Sequence, residues 1–120
     1  MTSTKNNLIL VVDDSPQMIR LIKRELRKHG DVRIASTVKA DAAKLAIESL
    51  GDELDILLTD YDIGSELNGL DLIRCAHPET HCILMSGMLP TDTIDAHATI
   101  EKPFTRVKLM AALGWEVDDD

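Results

Sequence analysis

The chain has 120 residues and a formal net charge of −8, with 44% apolar residues. That length fits one domain, able to bury roughly 65% of its unfolded surface and so to build a core without staples. The acidic balance argues against direct nucleic-acid binding, since no basic stripe stands out to neutralise phosphates, and no apolar run approaches the ~20 residues of a membrane span.

Only Tyr61, Phe104 and Trp115 are aromatic, so the core must be aliphatic. The N-terminal MTSTKNN is polar and lacks the apolar stretch of a signal peptide. Cys75 and Cys82 are then expected to be reduced thiols in a cytoplasmic protein, and their spacing fits no zinc pattern. The terminal Asp118-Asp119-Asp120 reads as a solvated end.

Leu8 to Val12 is a continuous apolar run, the signature of a strand buried on both faces. It ends at Asp13-Asp14. Ser15-Pro16 then reads as the N-cap and first position of a helix. Met18, Ile19, Ile22 and Leu26 recur at helical spacing, and Gly30 stops the helix. Val32 to Ala35 is a second strand. Lys39 to Leu50 is a second helix, closed by Gly51. Asp55 to Thr59 is a third strand, which runs into Asp60-Tyr61-Asp62. Leu67 to Ala76 is a third helix. His81 to Met85 is a fourth strand, ending at Ser86-Gly87. Thr99-Ile100 belongs to a short fifth strand before Lys102-Pro103, and Phe104 to Leu113 is the last helix.

Strands alternate with helices throughout, which implies an α/β fold with a parallel sheet of five strands and helices on both faces. No repeat, linker or second domain is visible, so residues 1–120 are expected to be a single domain with its core at about 7–115. One region is short. Fifteen residues, Gly87 to Glu101, must supply turns, a strand and a crossover. At most ~2 helical turns remain for that fourth crossover.

In an open parallel sheet, ligands sit outside the carboxyl ends of the strands. The first strand delivers Asp13 and Asp14 there. The third delivers Asp60, with Asp62 two residues on. The fourth gives Ser86, and the fifth leads to Lys102. Converging carboxylates raise one another's pKa values or require a cation between them. Mg²⁺ is the natural hard cation for oxygen ligands. Mg²⁺ beside a lysine and a hydroxyl makes a phosphate site, and a carboxylate in line with the phosphorus can be its acceptor. Singly, each residue has an ordinary reading as a loop acid, turn former or common dipeptide. Their order, each after an apolar strand, makes coincidence a poor account.

LILVVDDS, ILLTD, NGLDLI, ILMSG and EKPF, in that order, resemble the receiver domains of two-component response regulators over roughly residues 7 to 115. The resemblance implies a flavodoxin-like, doubly wound fold and a phosphorylation-dependent switch rather than a conventional enzyme. It implies that Asp60 is the phospho-acceptor and that Asp13 and Asp14 hold Mg²⁺, with Asp60 itself and the backbone carbonyl of Asp62. Ser86 matches the hydroxyl that turns toward the phosphoryl group, and Lys102 the lysine that pairs with it before a usually cis Lys-Pro bond. Gly69 resembles the glycine of the loop after the acceptor strand. The implied partners are a histidine kinase or histidine phosphotransfer protein and a downstream protein reached by contact, with the chain a monomer.

The chain departs from that family in three places. Thr99 stands where an aromatic is common, and is too small to swing into the space a moving Ser86 hydroxyl leaves. The fourth crossover is short. The loop Gly64 to Asn68 lacks a usual proline and is one residue longer. Two other readings compete. Asp60-x-Asp62 after an apolar strand also resembles the haloacid-dehalogenase phosphatases, although that family places the motif on its first strand. A non-phosphorylated interaction module with the same fold is the other.

Overall fold

The computed structural model describes residues 7–91 and 95–115. The polar N-terminus and the acidic C-terminal tail lie outside these residues. Five strands, β1 (Asn7–Val12), β2 (Val32–Thr37), β3 (Ile56–Asp60), β4 (His81–Ser86) and β5 (Ala98–Glu101), form one sheet in the order β2-β1-β3-β4-β5. Every pairing is parallel. The helices are α1 (Pro16–Arg27), α2 (Ala40–Leu50), α3 (Gly69–Arg74) and α4 (Arg106–Leu113), with a 3-10 turn at Gly51–Glu53. The five-stranded parallel α/β sheet expected from the alternating pattern, doubly wound as the resemblance implies, is therefore present.

Strand alternation divides the core. Ile9 and Val11 face one way and pack with Leu58, Met85 and Ile100 against α1 and α4 through Ile22, Leu26 and Leu109. Leu10 and Val12 face the other way and pack with Leu57, Cys82 and Leu84 against α2 and α3 through Ile47, Leu72 and Ile73. Runs such as LILVV need both faces covered, which is why they carry no polar alternation.

Local chemistry sets the helix ends. Ser15 Oγ accepts from the Met18 N–H at 3.2 Å, as the Ser-Pro start predicts. The third and last helices are shorter than their apolar spacing suggests. Asn68 and Asp71 form a reciprocal capping box that starts α3 at Gly69, and it ends at Arg74. Thr105 Oγ1 accepts from the Lys108 N–H and starts α4 at Arg106, leaving Phe104 in the lead-in. A side-chain cap satisfies N–H groups the helix cannot, so it overrides apolar periodicity. Near the opposite end of the sheet the His81 Nε2–H donates to the Ala112 carbonyl at 2.8 Å, tying β4 to α4.

Between β4 and β5 the described residues form no helix, which is within the limit of about two turns that the sequence sets for that crossover. On β5, Ala98 and Ile100 pack toward α1 and α4, while Thr99 and Glu101 are exposed. Their polarity suits a strand whose second face has no helical cover among the described residues.

The charge is also less even than the chain-wide count suggests. Arg20, Lys23, Arg24, Arg27 and Lys28 cluster on α1 and just after it, in a chain of net charge −8. Glu25 answers three cations, Arg24, Lys28 and Arg106, and so joins α1 to α4.

Burial separates the two cysteines. Cys82 is buried under α3 and its thiol is pushed up to about 11 by that burial, whereas Cys75 is half-buried. A thiolate is the reactive form. Thiol reagent at pH 8 is therefore expected to label Cys75 alone in the native protein and both cysteines after denaturation, as read by intact mass. Native labelling of Cys82 would contradict the packing of β4.

Candidate functional site

The strand order reverses at β1, which lies between β2 and β3, and this is where an open α/β sheet leaves its crevice. Asp13 and Asp14 follow β1, and Asp60 is the last residue of β3. The three carboxylates each place an oxygen within 4.8 Å of the others. A cleft of about 520 Å³ opens there, lined by Asp14, Asp60, Asp62, Ser86, Met88 and Lys102, among others.

Asp13 is fully buried. Its Oδ1 accepts from the Ser15 N–H at 2.9 Å, and its Oδ2 accepts from Lys102 Nζ at 2.8 Å. The same ammonium lies 3.2 Å from Asp60 Oδ1. Asp60 Oδ1 also takes the Tyr61 N–H at 3.1 Å. Lys102 is aimed by its own backbone, since its N–H donates to the Ser86 carbonyl at 2.7 Å, and the peptide bond to Pro103 is cis.

These contacts shift two groups. Burial raises the Asp60 carboxyl above its ordinary value; Lys102 pulls it back and Asp13 pushes it further up. Burial alone would lower Lys102, but its bonds to Asp13 and Asp60 outweigh that and leave it raised. One ammonium thus pairs with two carboxylates of a cluster of three, one of them fully buried. An all-oxygen, net-negative donor set of this kind fits a hard divalent cation such as Mg²⁺ or Ca²⁺.

Two predicted residues are placed differently from the rest. Ser86 lines the cleft, but its hydroxyl donates to the Met88 carbonyl at 2.7 Å and accepts from the Met88 N–H at 3.1 Å. The Asp62 carboxylate is exposed and accepts from the Gly64 N–H at 3.2 Å, so it closes its own loop and stands outside the carboxylate cluster. Gly64 has a φ of 67°, which suits glycine at that turn.

Gly69 has a role that sequence spacing alone does not reveal. Its N–H donates to the Tyr61 carbonyl at 2.8 Å, and a β-carbon on it would fall against the Asp60 carbonyl oxygen and the Leu84 side chain. The start of α3 is therefore pressed onto the backbone of the third strand's end.

Three outcomes follow for metal-free protein in urea unfolding. Lys102→Met leaves the Asp13 charge buried without its partner and costs about 3 kcal/mol, the low end for a broken buried pair because Lys102 keeps some solvent. Gly69→Ala costs about 2 kcal/mol, since backbone must move to admit the methyl group. Asp60→Asn goes the other way. An acid whose folded pKa is raised binds its proton more tightly when native, so ionising it removes stability above that pKa. The asparagine variant is expected to be more stable than the native chain at pH 7, with the gain vanishing below the ordinary carboxylate range. A loss of stability at pH 7 would refute that sign.

The description Response regulator receiver domain matches residues 9–114 of the chain. No curated protein matches it. Among solved structures, a response regulator receiver protein from Sinorhizobium medicae WSM419 aligns with a TM-score of 0.81 at 23% identity, covering 93% of this chain and 94% of that one. A response regulator receiver domain protein from Clostridium thermocellum aligns with a TM-score of 0.80 at 22% identity, covering 90% and 91%. A response regulator from Burkholderia pseudomallei, solved with a phosphorylated aspartic acid, a calcium ion and citrate, aligns with a TM-score of 0.75 at 20% identity, covering 90% and 66%.

Proposed function

The chain belongs to the response regulator receiver domain family, and from that premise we propose that it is a phosphorylation-dependent switch whose acceptor is Asp60. Receiver domains are regulatory, phospho-accepting domains of two-component signalling. The observation that carries the assignment of Asp60 is its shared ammonium: Lys102 bridges Asp60 and the fully buried Asp13 at the reversal point of the sheet.

Asp60 Oδ1 is held by Lys102 and the Tyr61 N–H, which leaves Oδ2 to attack phosphorus. A P–O bond forms to Oδ2, and the bond from phosphorus to its donor breaks. With phosphohistidine as donor, a P–N bond breaks and the imidazole leaves as it gains a proton. Lys102 is already charged and placed to follow an oxygen of the transferred group. Asp13, Asp14, Asp60 and the Asp62 carbonyl are the residues that would hold Mg²⁺, which supplies charge neutralisation when bound. The chain would promote its own phosphorylation and hydrolysis and no other reaction. A histidine kinase or phosphotransfer protein would supply the group. Acting as a cytoplasmic monomer and a single receiver domain, with its core at about 7–115, the chain would signal by contact or pass the group on.

Asp62 stands at the mouth of the cleft with its carboxylate exposed. An exposed charge a few ångström from a dication contributes on the order of 1 kcal/mol. Asparagine keeps an oxygen for the Gly64 N–H, so Asp62→Asn tests the charge alone. Mg²⁺ affinity is expected to fall about fivefold by that energy, and decay of the phosphorylated form to change with it. Affinity and decay both unchanged would remove the Asp62 charge, though not its carbonyl, from the site.

The deciding experiment is incubation with acetyl phosphate and Mg²⁺, followed by intact mass after a cold acid quench. One phosphoryl group per chain is expected, absent from Asp60→Asn and from metal-free protein. Rapid phosphate release without an adduct would instead favour the phosphatase reading. No adduct and no release, together with no Mg²⁺ binding, would favour an interaction module.

A further inference from the structure

The basic face of α1 takes no part in the chemistry at Asp60. At about 100° per residue, Arg20, Lys23, Arg24, Arg27 and Lys28 fall within one arc of about 140°. That arc lies away from Ile19, Ile22 and Leu26, the buried side of the helix. Four of the five cations are exposed, Lys23 being half-buried. Spacings of three and four set like charges side by side, which destabilises a helix. Glu25 is the one acid on α1, and Arg106 of α4 shares it with Arg24 and Lys28. Arg20, Lys23 and Arg27 have no acidic partner among the described residues. Such a stripe, in a chain of net charge −8, is a place for an anion.

The chain carries that anion itself. Trp115 packs against the core layer of α1 and α4, and its indole stacks on the His29 ring with centroids 4.2 Å apart. His29 directly follows Lys28. The backbone therefore leaves Trp115 beside the C-terminal end of the stripe. The next five residues are Glu116-Val117-Asp118-Asp119-Asp120, with an acid at every position but Val117. Five extended residues reach roughly 17 Å. The stripe from Lys28 to Arg20 is about 12 Å long. An anion tethered so close meets the stripe at an effective concentration of about a millimolar or more, which favours it over free anions.

We propose that the acidic segment Glu116 to Asp120 folds back from Trp115 onto the cation stripe of α1 and shields it from other polyanions. The pairing is electrostatic and solvent-exposed, so salt weakens it. Arg20, the far end of the stripe, lies in the second turn of a helix that starts just after Asp14 of the crevice. Covered, the stripe offers a polyanionic surface no foothold there.

Paramagnetic broadening tests the contact on the full chain. Asp120→Cys carries a nitroxide, and Cys75→Ser removes the half-buried thiol. A second labelled chain adds Glu116→Gln, Asp118→Asn and Asp119→Asn. At low salt the amides of Arg20 and Lys23 are expected to lose about twice as much intensity in the first chain as in the second, and about 0.5 M salt to abolish the difference. Equal broadening at low salt overturns the proposal, as does an excess that salt leaves intact. Shielding has its own readout, with heparin as the polyanion. Glu116→Gln, Asp118→Asn, Asp119→Asn and Asp120→Asn together are expected to tighten heparin binding about tenfold at low salt, because several exposed ion pairs are released at once. Asp41→Asn, Asp52→Asn, Glu53→Gln and Glu79→Gln change the net charge equally at exposed positions on or near α2 and α3, across the sheet from α1. That control is expected to stay within about twofold of the native chain. A tail variant that binds no more tightly than the control overturns the proposal. So does a gain that survives Arg24→Gln and Arg27→Gln, since the polyanion then sits elsewhere.

Discussion

One ammonium holds this end of the molecule together. The parallel sheet brings Asp13, Asp14 and Asp60 to one crevice, and burial takes Asp13 wholly out of water. Buried carboxylates are tolerable only when paired. Lys102 Nζ reaches Asp13 at 2.8 Å and Asp60 at 3.2 Å, and it comes from beyond β5, whose strand lies at the far edge of the sheet. The raised Asp60 carboxyl shows that this pairing does not fully offset the burial. The metal-free site is left short of positive charge.

The short crossover has consequences beyond length. Where a helix would cover β5, Thr99 and Glu101 face outward, and a cavity lies between β5 and α4. An aromatic at position 99 would be an exposed apolar ring in such a place. The small, polar side chain and a strand without helical cover among the described residues are thus one feature seen at two levels.

Much of the fold was legible along the chain because buried parallel strands leave a plain trace. LILVV, ILLTD and CILMS have no polar alternation, since each strand is packed on both faces. Ser15-Pro16 marked the start of α1 because a cap needs only neighbouring residues. Boundaries were less legible where a cap competed with apolar spacing. The Asn68–Asp71 box shortens α3, and Thr105 delays α4 past Phe104. The clustering of five cations at α1 also escaped a chain-wide charge count, which averages over faces that the helix separates.

By itself, then, the sequence determined the order of strands and helices and which polar residues end each strand, because both are written in local hydrophobicity and local capping. Tertiary structure alone decided the rest. The bridge from Lys102 to Asp13 joins residues 89 positions apart. Whether the Ser86 hydroxyl faces Met88 or the crevice, and that Asp62 spends its carboxylate on Gly64, depend on which hydrogen-bond partner lies nearest in space. The pressure of Gly69 on the Asp60 carbonyl arises only when α3 is docked on the sheet. Hydrogen bonds and close contacts are short-ranged in space, so their partners are chosen by the folded chain and leave no spacing along it.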